Sequence, residues 1–247
     1  MGSRSRGGGV IAELDGPLEE VGGKAAGLAM LVRLGLPVPP ACVIPVSAGG
    51  VLDDPGGIVS RLGEPLAVRS SAVGEDALDR SGAGQYESEL GVTRDGLAAA
   101  VARVWRSGSS ERVRAYGGAT SRMAIVVQRQ VDASRSGVAF SRDPVTGDDV
   151  VVVETVFGPG ERLVSGRVTP DRFHLVTGRV RARVAPKEDQ FRLLRTLRDE
   201  EVGRVAALVR RCEDGLGRPV DVEFCFERRT LWLVQCRALT AAGSRTA

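Results

Sequence analysis

The most constraining feature of this sequence is an alternation of apolar and polar residues from Asp221 to Arg237. Two runs rich in valine and aromatic residues flank a short polar segment, which predicts an antiparallel hairpin with its turn centred on Arg229. That register gives the hairpin one wholly apolar face, in which Val222, Phe224 and Phe226 lie opposite Cys236, Val234 and Trp232. The pattern is typical of strands that are buried on one side.

The other face of the predicted hairpin brings Glu223 opposite Gln235 and Asp221 opposite Arg237. Directly opposed side chains in an antiparallel pair lie about 4.5–5.5 Å apart at Cβ. A carboxylate beside an amide oxygen suits Mg²⁺, because this cation takes oxygen ligands and leaves room for substrate phosphates. Arg237 is then suited to neutralising a phosphoryl group, with Asp221 orienting it. The alternative is an ordinary amphipathic hairpin with a solvated salt bridge.

The rest of the chain alternates between helical and strand periodicity, which predicts an α/β protein of the α+β kind. Helices are expected at 21–34, 94–116, 188–197 and 199–215, the last with Asp199 as its N-cap and Gly215 or Gly217 closing it. Strands are expected at 41–46, 66–69, 123–131, 137–141, 150–156, 173–176, 220–226 and 231–235. Residues 48–64 are rich in glycine, aspartate and proline and are expected to be a short connector.

Composition excludes several classes of protein. With 26% charged and 43% hydrophobic residues, the chain is not expected to be disordered or fibrous. No apolar run approaches the roughly 20 residues of a membrane-spanning helix, so no membrane partner is expected. The net charge is only +3 and aromatic residues make up 4%, so no nucleic-acid partner is expected. Four cysteines without Cys-x-x-Cys spacing favour free buried thiols in a reducing cytoplasm.

Three further segments carry residue types that bind phosphates. Arg69 ends an apolar run and precedes two serines, which suits a polyphosphate clamp, with a surface charge as the alternative. Residues 81–85 form a small-residue loop that either covers phosphates with backbone N–H groups or is a plain turn. Lys24 follows two glycines at a helix start, where it contacts an anion or stays solvated. His174 alternates with apolar residues, so a structural or edge role is expected for it.

Taken in order, seven segments resemble the nucleotide-binding domain shared by phosphoenolpyruvate synthase, pyruvate phosphate dikinase and rifampin phosphotransferase. The resemblance runs from about Val21 to Thr240, and seven co-linear matches make coincidence improbable. The matching segments are 22–28 with 35–40, 67–72 with 75–76, 82–87, 126–128 through 136–147, 154–158, 164–166 with 169–172, and 221–223 with 235–237.

This resemblance implies an ATP-grasp fold, in which two α/β lobes clamp ATP and Mg²⁺ in the cleft between them. It implies phosphate contacts and catalytic roles for Lys24, Arg69 and Arg237. It implies that the metal is held by Glu223 and Gln235. The remaining nucleotide contacts that it implies are Gly82, Gly84 and Gln85 over the phosphates, Gln128, Gln130 and Val131 beside the adenine, and Asp221.

The resemblance also implies a domain organisation. Residues 1–20 are expected to be a flexible leader and first strand, and residues 241–247 a tail. Residues 21–120 are expected to form the N-terminal lobe, and residues 121–240 the C-terminal lobe with the metal-binding hairpin. The connector at 48–64 is shorter than is usual in the family, which suggests a trimmed N-terminal lobe.

The chain departs from the family in one respect that bears on function. Family members carry a mobile domain whose histidine, in a Thr-Gly-Gly-x-x-Ser-His type motif, accepts phosphate from ATP. The single histidine here, His174, lies outside such a motif, and no acceptor domain is recognisable. Three functions stay open: the ATP-using subunit of a dikinase-type phosphotransferase with a separate phosphohistidine carrier, a self-contained kinase or ligase, and a non-catalytic ATP-binding module.

Overall fold

A computed structural model describes residues 14, 16–73, 88–110, 122–164, 166, 168–185 and 194–239. The chain forms two compact units. The first unit comprises residues 1–26, 40–75 and 85–130, and the second comprises residues 27–39, 76–84 and 131–247. Each unit combines helices with an antiparallel sheet, so the expected α/β class of the α+β kind is confirmed.

Helix α1 spans Leu18–Arg33 and is interrupted near its start. Gly22 has φ 74° and ψ 176°, which is far from helical geometry. The sequence predicted the helix at 21–34, with the two glycines as its entry. The structure adds a preceding turn, in which Glu20 and Val21 N–H groups both donate to Pro17 O. Among the described residues of the expected leader, 14 and 16–20, none is in a strand and 18–20 are helical.

The first unit has a four-stranded sheet in the order β1-β4-β2-β3. The strands are β1 Ala41–Ile44, β2 Leu66–Ala72, β3 Ser88–Val92 and β4 Met123–Arg129. Helices α2, Pro55–Leu62, and α3, Arg94–Ser110, share a hydrophobic core with one face of this sheet. Strand β4 pairs with β1 and β2, although the expected domain boundary assigned residues 123–129 to the C-terminal lobe.

The second unit has a six-stranded sheet in the order β10-β9-β5-β6-β7-β8. Its strands are β5 Arg135–Phe140, β6 Val151–Phe157, β7 Asp171–Val176, β8 Arg179–Arg183, β9 Val220–Glu227 and β10 Thr230–Ala238. The described helices of this unit are the part of α1 from residue 27 onward, the short α4, Glu161–Val164, and α5, Asp199–Leu216. Every strand pair in both sheets is antiparallel.

Helix α5 packs on one face of the six-stranded sheet. The helix buries one apolar stripe, consisting of Val202, Val205, Ala206, Val209 and Cys212. Arg135 of β5 joins helix to sheet, because its guanidinium bonds the Glu201 carboxylate at 2.9 Å and lies 4.6 Å above the ring of Phe226. Phe226 of β9 pairs with Arg135, so it lies on the face of the sheet that packs against α5. Successive side chains of a strand point to opposite faces. Asp221 and Glu223 therefore lie on the opposite face of the sheet, which we call the polar face.

The β9–β10 hairpin differs from its predicted register near the turn. The turn has two residues, Arg228 and Arg229, with Arg228 at φ 55°, and Thr230 pairs with Glu227. Near the turn, Leu233 pairs with Phe224 and Leu231 with Phe226, so the predicted pairing of these phenylalanines with Val234 and Trp232 is wrong. A β-bulge between Leu233 and Gln235 adds one residue to β10. Beyond the bulge, Glu223 pairs with Gln235, Val222 with Cys236 and Asp221 with Arg237, as predicted.

Several other expectations need correction. The connector at 48–64 contains α2, which begins where the Asp54 carboxylate accepts a hydrogen bond from Gly57 N–H at 2.8 Å. Strands β3 and β8 were not predicted. Residues 194–198 are not helical, and the rest of the predicted 188–197 helix lies outside the described residues. Asp199 is the first helical residue of α5 rather than its N-cap, and the helix is closed by Gly217 at φ 70°.

The four cysteines are all free and buried, as predicted. Cys42 lies in the core of the first unit, whereas Cys212, Cys225 and Cys236 lie in the second. Within the part of the chain that the structure describes, no helix has the length and apolar character needed to cross a membrane.

Candidate functional site

The hairpin β9–β10 brings four of the predicted site residues together on the polar face. Glu223 lies directly across from Gln235, and Asp221 lies across from Arg237. The Arg237 Nε donates to both oxygens of Asp221, at 2.9 and 2.8 Å. Asp221 is 7% exposed and Gln235 is 6% exposed, so both side chains are buried. Arg237 remains partly exposed.

The amide oxygen Oε1 of Gln235 is buried and has no hydrogen-bond partner in the described part of the chain. A buried acceptor without a partner costs about 1–3 kcal/mol, so a group that satisfies it is expected. Mg²⁺ prefers oxygen ligands, and the Glu223 carboxylate supplies a second oxygen donor directly opposite. The oxygen donors of Glu223 and Gln235 therefore have the chemistry that Mg²⁺ prefers.

The described residues contain no group of three or more His, Cys, Asp and Glu side chains that could hold a metal ion. A closed structural metal site of such residues is therefore absent from this part of the protein. Mg²⁺ typically binds through one or two protein oxygens and takes its other ligands from phosphates and water. The Glu223–Gln235 pair matches that pattern of few protein ligands.

The polar face continues across the sheet from the hairpin. Glu223 pairs with Val138 of β5, and Val138 pairs with Glu154 of β6, so the two carboxylates share a face with one strand between them. Glu154 accepts a hydrogen bond from the Arg172 Nε at 2.7 Å. Glu154 was not among the site residues predicted from the sequence. The available signal was a single carboxylate directly after four consecutive valines, 150–153.

A tight turn between β5 and β6 holds Asp143 in a fixed position. Its Oδ1 accepts hydrogen bonds from the N–H groups of Val145 at 2.8 Å and Thr146 at 3.1 Å. Burial alone raises the pKa of Asp143, but these two bonds and the charges of His174 and Arg172 outweigh burial and lower it. The carboxylate is therefore stabilised in its charged form. His174 itself lies on β7, which is an inner strand, so of the two roles expected for it only the structural one fits this position.

In the first unit, the start of α1 is held against β2. A Cβ on Gly22 would lie 2.1 Å from the carbonyl oxygen of Ser71, so only glycine allows this approach. The Ser71 hydroxyl accepts from Ala25 N–H at 3.1 Å and donates to Val21 O at 2.7 Å. Ser71 thus binds the backbone on both sides of the interruption and fixes the position of Lys24 in the chain.

Arg69 lies on the same face of β2 as Ser71, because the two are separated by one residue. Gln128 of β4 pairs with Ala67, so Gln128 is on that face as well. Gln128 is 2% exposed, and its Nε2 has no partner among the residues described. The two serines considered beside Arg69 point to opposite faces of the strand. One face of the first sheet therefore carries Arg69 and Gln128.

Gln130 is engaged within the first unit. Its side-chain Oε1 accepts a hydrogen bond from Gly91 N–H, and its own backbone N–H donates to Pro65 O at 2.9 Å. Val131 follows the end of β4 and is half-buried. The roles of Gln128, Gln130 and Val131 beside an adenine stay predictions. Gly82, Gly84 and Gln85 lie outside the described residues.

Comparison with known proteins gives matches in both sequence and fold. The prodigiosin synthesizing transferase PigC of Serratia marcescens is 34% identical and covers 94% of this chain. A probable phosphoenolpyruvate synthase of Archaeoglobus fulgidus is 34% identical over 71% of it, and a rifampicin phosphotransferase of Streptomyces sviceus 37% identical over 77%. The chain spans 33%, 27% and 26% of these three proteins, about a third of their length or less.

Among solved structures, a D-alanine–D-alanine ligase from Bacillus anthracis complexed with ATP matches with a TM-score of 0.53 at 12% identity. The match covers 91% of this chain and 57% of the ligase. The fold is therefore ATP-grasp, as the sequence resemblance implied. The family model of the pyruvate phosphate dikinase AMP/ATP-binding domain matches residues 55–247. The chain belongs to this family of AMP/ATP-binding domains.

Proposed function

We propose that the chain binds Mg·ATP and is the ATP-using part of a dikinase-type phosphotransferase. The observation that carries the proposal is the buried, unpartnered Oε1 of Gln235, which lies opposite Glu223 and beside the Asp221–Arg237 pair. Relatives named as a phosphoenolpyruvate synthase and a rifampicin phosphotransferase support the reaction class. The predicted division into two lobes belongs to the same proposal, with β4 now counted in the N-terminal lobe, as does a cytoplasmic location.

The proposed reaction passes the β-phosphoryl group of ATP to a histidine on another domain or protein. Two P–O bonds of the triphosphate break, one P–N bond forms on the imidazole, and one water is consumed as the γ-phosphoryl group leaves as phosphate. AMP is the second product. Mg²⁺, when bound, would supply positive charge against the phosphate oxygens.

The chain's own residues serve by binding and charge neutralisation, since phosphoryl transfer leaves the protein little covalent chemistry. Glu223 and Gln235 would hold the metal. Asp221 holds the Arg237 guanidinium through two hydrogen bonds, which keeps a cation in a fixed place for a phosphoryl group. Lys24 and Arg69 are proposed as phosphate contacts from the first unit.

Nucleotide binding is tested by thermal unfolding with and without Mg·ATP. A ligand that binds only the folded chain stabilises it by about 2.7 kcal/mol at a free concentration 100-fold above its Kd. Removing Mg²⁺ with a chelator is expected to abolish most of the gain in Tm. A melting temperature that saturating Mg·ATP leaves unchanged would rule out the nucleotide site.

Two variants separate the metal role from the phosphate role. Glu223→Ala is expected to weaken the Mg²⁺ dependence of ATP binding. Its control is Glu200→Ala, at an exposed position of α5. Arg237→Ala is expected to keep ATP affinity nearer normal while abolishing transfer, because it removes an interaction made mainly in the transition state. Arg229→Ala, in the exposed turn of the same hairpin, is the matched arginine control. Equal, small effects of both site variants contradict the proposed roles.

Product analysis separates the proposed function from its alternatives. The chain with a separately expressed phosphohistidine carrier domain is expected to form AMP and to label that carrier from β-³²P-ATP but not from γ-³²P-ATP. ADP as the product indicates a self-contained kinase or ligase, and ATP binding without turnover indicates a non-catalytic module. His174→Ala is expected to leave transfer unchanged. Acid-labile label on this chain that disappears in His174→Ala contradicts the need for a separate carrier.

A further inference from the structure

Strand β8, at one edge of the six-stranded sheet, carries three arginines at alternate positions. Arg179, Arg181 and Arg183 are all exposed, and they pair in register with Val176, His174 and Arg172 of β7. Residues two apart in a strand point to the same face, about 6.6 Å from one another. None of the three side chains makes an ion pair or hydrogen bond with a described residue. We call these three residues the arginine strip.

The backbone of β8 also has unused hydrogen-bonding groups. The β7–β8 hairpin has a two-residue turn, Thr177 at φ 46° and Gly178 at φ 77°, so Val176 and Arg179 form its first hydrogen-bonded pair. Hydrogen-bonded and non-hydrogen-bonded pairs alternate in an antiparallel ladder. Val180 and Ala182 therefore direct their N–H and C=O groups away from β7, and no described strand pairs with that edge.

We propose that the β8 edge binds an extended acidic polypeptide segment of a partner protein, which adds to the sheet as a further antiparallel or parallel strand. An extended polypeptide matches the alternating outward N–H and C=O groups of Val180 and Ala182 with its own, which argues for a protein over a nucleic acid or a lipid surface. Carboxylates at alternate positions of the added strand would meet the arginine strip with matching spacing.

The charge pattern also selects against a second copy of this chain. Natural proteins place charges on edge strands to prevent edge-to-edge pairing. Here all the charges on one face of the strand have the same sign, so two β8 strands would bring arginine against arginine. Like charges directly opposite one another are destabilising, whereas an acidic strand is admitted. The arginine strip therefore permits one class of partner while it excludes self-association. This inference does not depend on the nucleotide site.

Binding is measured by fluorescence anisotropy with a labelled, terminally blocked eight-residue peptide of alternating glutamate and threonine. The lysine–threonine peptide of the same length is the probe control. The full chain is expected to bind the acidic peptide and not the basic one, and to bind more weakly as salt is raised from 50 to 300 mM. Arg181→Glu is expected to lower the affinity at least tenfold. Arg204→Glu, on an exposed position of α5, makes the same charge change and is expected to alter affinity less than twofold.

Strand addition is tested separately from charge. Bound acidic peptide is expected to slow hydrogen exchange of the Val180 and Ala182 amides at least tenfold, while amides that already face β7 change little. Ala182→Pro removes one outward N–H without touching the β7 ladder, and is expected to lower affinity at least tenfold. The exchange measurement uses the unmodified chain, so it stands even if this variant unfolds.

Three results would overturn the proposal. The first is equal affinity for the acidic and basic peptides, which would indicate that the arginines only prevent edge-to-edge aggregation. The second is acidic-peptide binding that depends on Arg181 but leaves the Val180 and Ala182 amides unprotected. The third is tight binding of single-stranded RNA or of anionic phosphatidylserine vesicles through the same arginines, with no binding of the acidic peptide.

Discussion

The two units position their candidate residues in different ways. In the second unit, Asp221 and Arg237 are 16 positions apart and meet through one hairpin. In the first unit, Ala25 and Ser71 are 46 positions apart, and their hydrogen bond fixes the start of α1 beside β2. The hairpin is specified by local alternation, whereas the α1–β2 contact depends on a glycine that can approach a strand backbone. The pairing of residues within one hairpin can be predicted from the sequence. The close approach of two backbone segments that are distant in sequence cannot.

The comparison predicts that single glycines matter most in the first unit. Gly22→Ala is expected to destabilise the protein by at least about 3 kcal/mol, because it adds strain at φ 74° and a Cβ 2.1 Å from Ser71 O. The control is Gly96→Ala in α3, which meets nothing within 4 Å and is expected to stabilise by roughly 0.5–1 kcal/mol. Urea unfolding measures both. A Gly22→Ala cost similar to an ordinary surface substitution contradicts the proposed tight approach.

The buried thiols of the two units are expected to respond oppositely to pH. Burial raises the pKa of Cys42 to about 11, so above the unfolded value near 9 the unfolded chain ionises first and stability falls. The loss between pH 8 and 10.5 is expected to be roughly 2 kcal/mol and to vanish in Cys42→Val. In the second unit, a hydrogen bond with Cys236 lowers the pKa of Cys212, so its ionisation is expected to stabilise the folded chain above the unfolded value near 9. Cys212→Val is expected to remove that stabilisation.

Urea unfolding at pH 8 and pH 10.5 measures these differences for each variant against the unchanged chain. A pH dependence that is the same in Cys42→Val and in the unchanged chain would show that Cys42 ionises normally. Equal effects of Cys42→Val and Cys212→Val would contradict the contrast between the two units.

The smallest expected difference concerns ion pairs. Arg135 and Glu201 in the second unit are 17% and 18% exposed, whereas Arg103 and Glu89 in the first are 52% and 25% exposed. Glu201→Gln is expected to cost about 1–2 kcal/mol, and Glu89→Gln is expected to cost less, since solvent weakens the more exposed pair. The pKa of Glu201 is lowered overall, despite burial, by the Arg198 N–H and by Arg135. Its contribution is therefore expected to be lost as pH falls below about 4.5. Chemical denaturation at pH 7 and pH 3.5 checks both statements, and a larger loss in Glu89→Gln contradicts them.

Most strands and the long helices could be predicted because their apolar residues recur with a clear strand or helix period. The missed elements are short and weakly patterned. Helix α2 contains two glycines and was taken as a connector, although Asp54 followed by proline is a good helix start. Strand β8 contains three arginines in five residues, a composition that favours neither burial nor a strand. Its signal was the Thr-Gly turn before it.

The candidate site could be predicted in part. Glu223, Gln235, Asp221 and Arg237 came from counting residues across one hairpin, and their pairing is confirmed. The burial of Gln235 Oε1 without a partner needed the structure, since no pattern reports which polar atoms stay unsatisfied. Ser71 as a partner of α1 also needed it, because residues distant in sequence meet only after folding. The assigned roles of Lys24 and Arg69 remain predictions.

The extra residue in β10 determines which side chains of this strand reach the polar face. Leu231 and Leu233 face the same side as the phenylalanines of β9, yet Gln235 and Arg237, at the same parity along the chain, face the other. A regular strand would place all four together and bury the amide and guanidinium among apolar groups. The extra residue at the bulge thus moves every later side chain of β10 to the opposite face of the sheet. A change in length at the hairpin tip can therefore be taken up at the bulge before it alters the pairing of Glu223 with Gln235, the two proposed metal ligands.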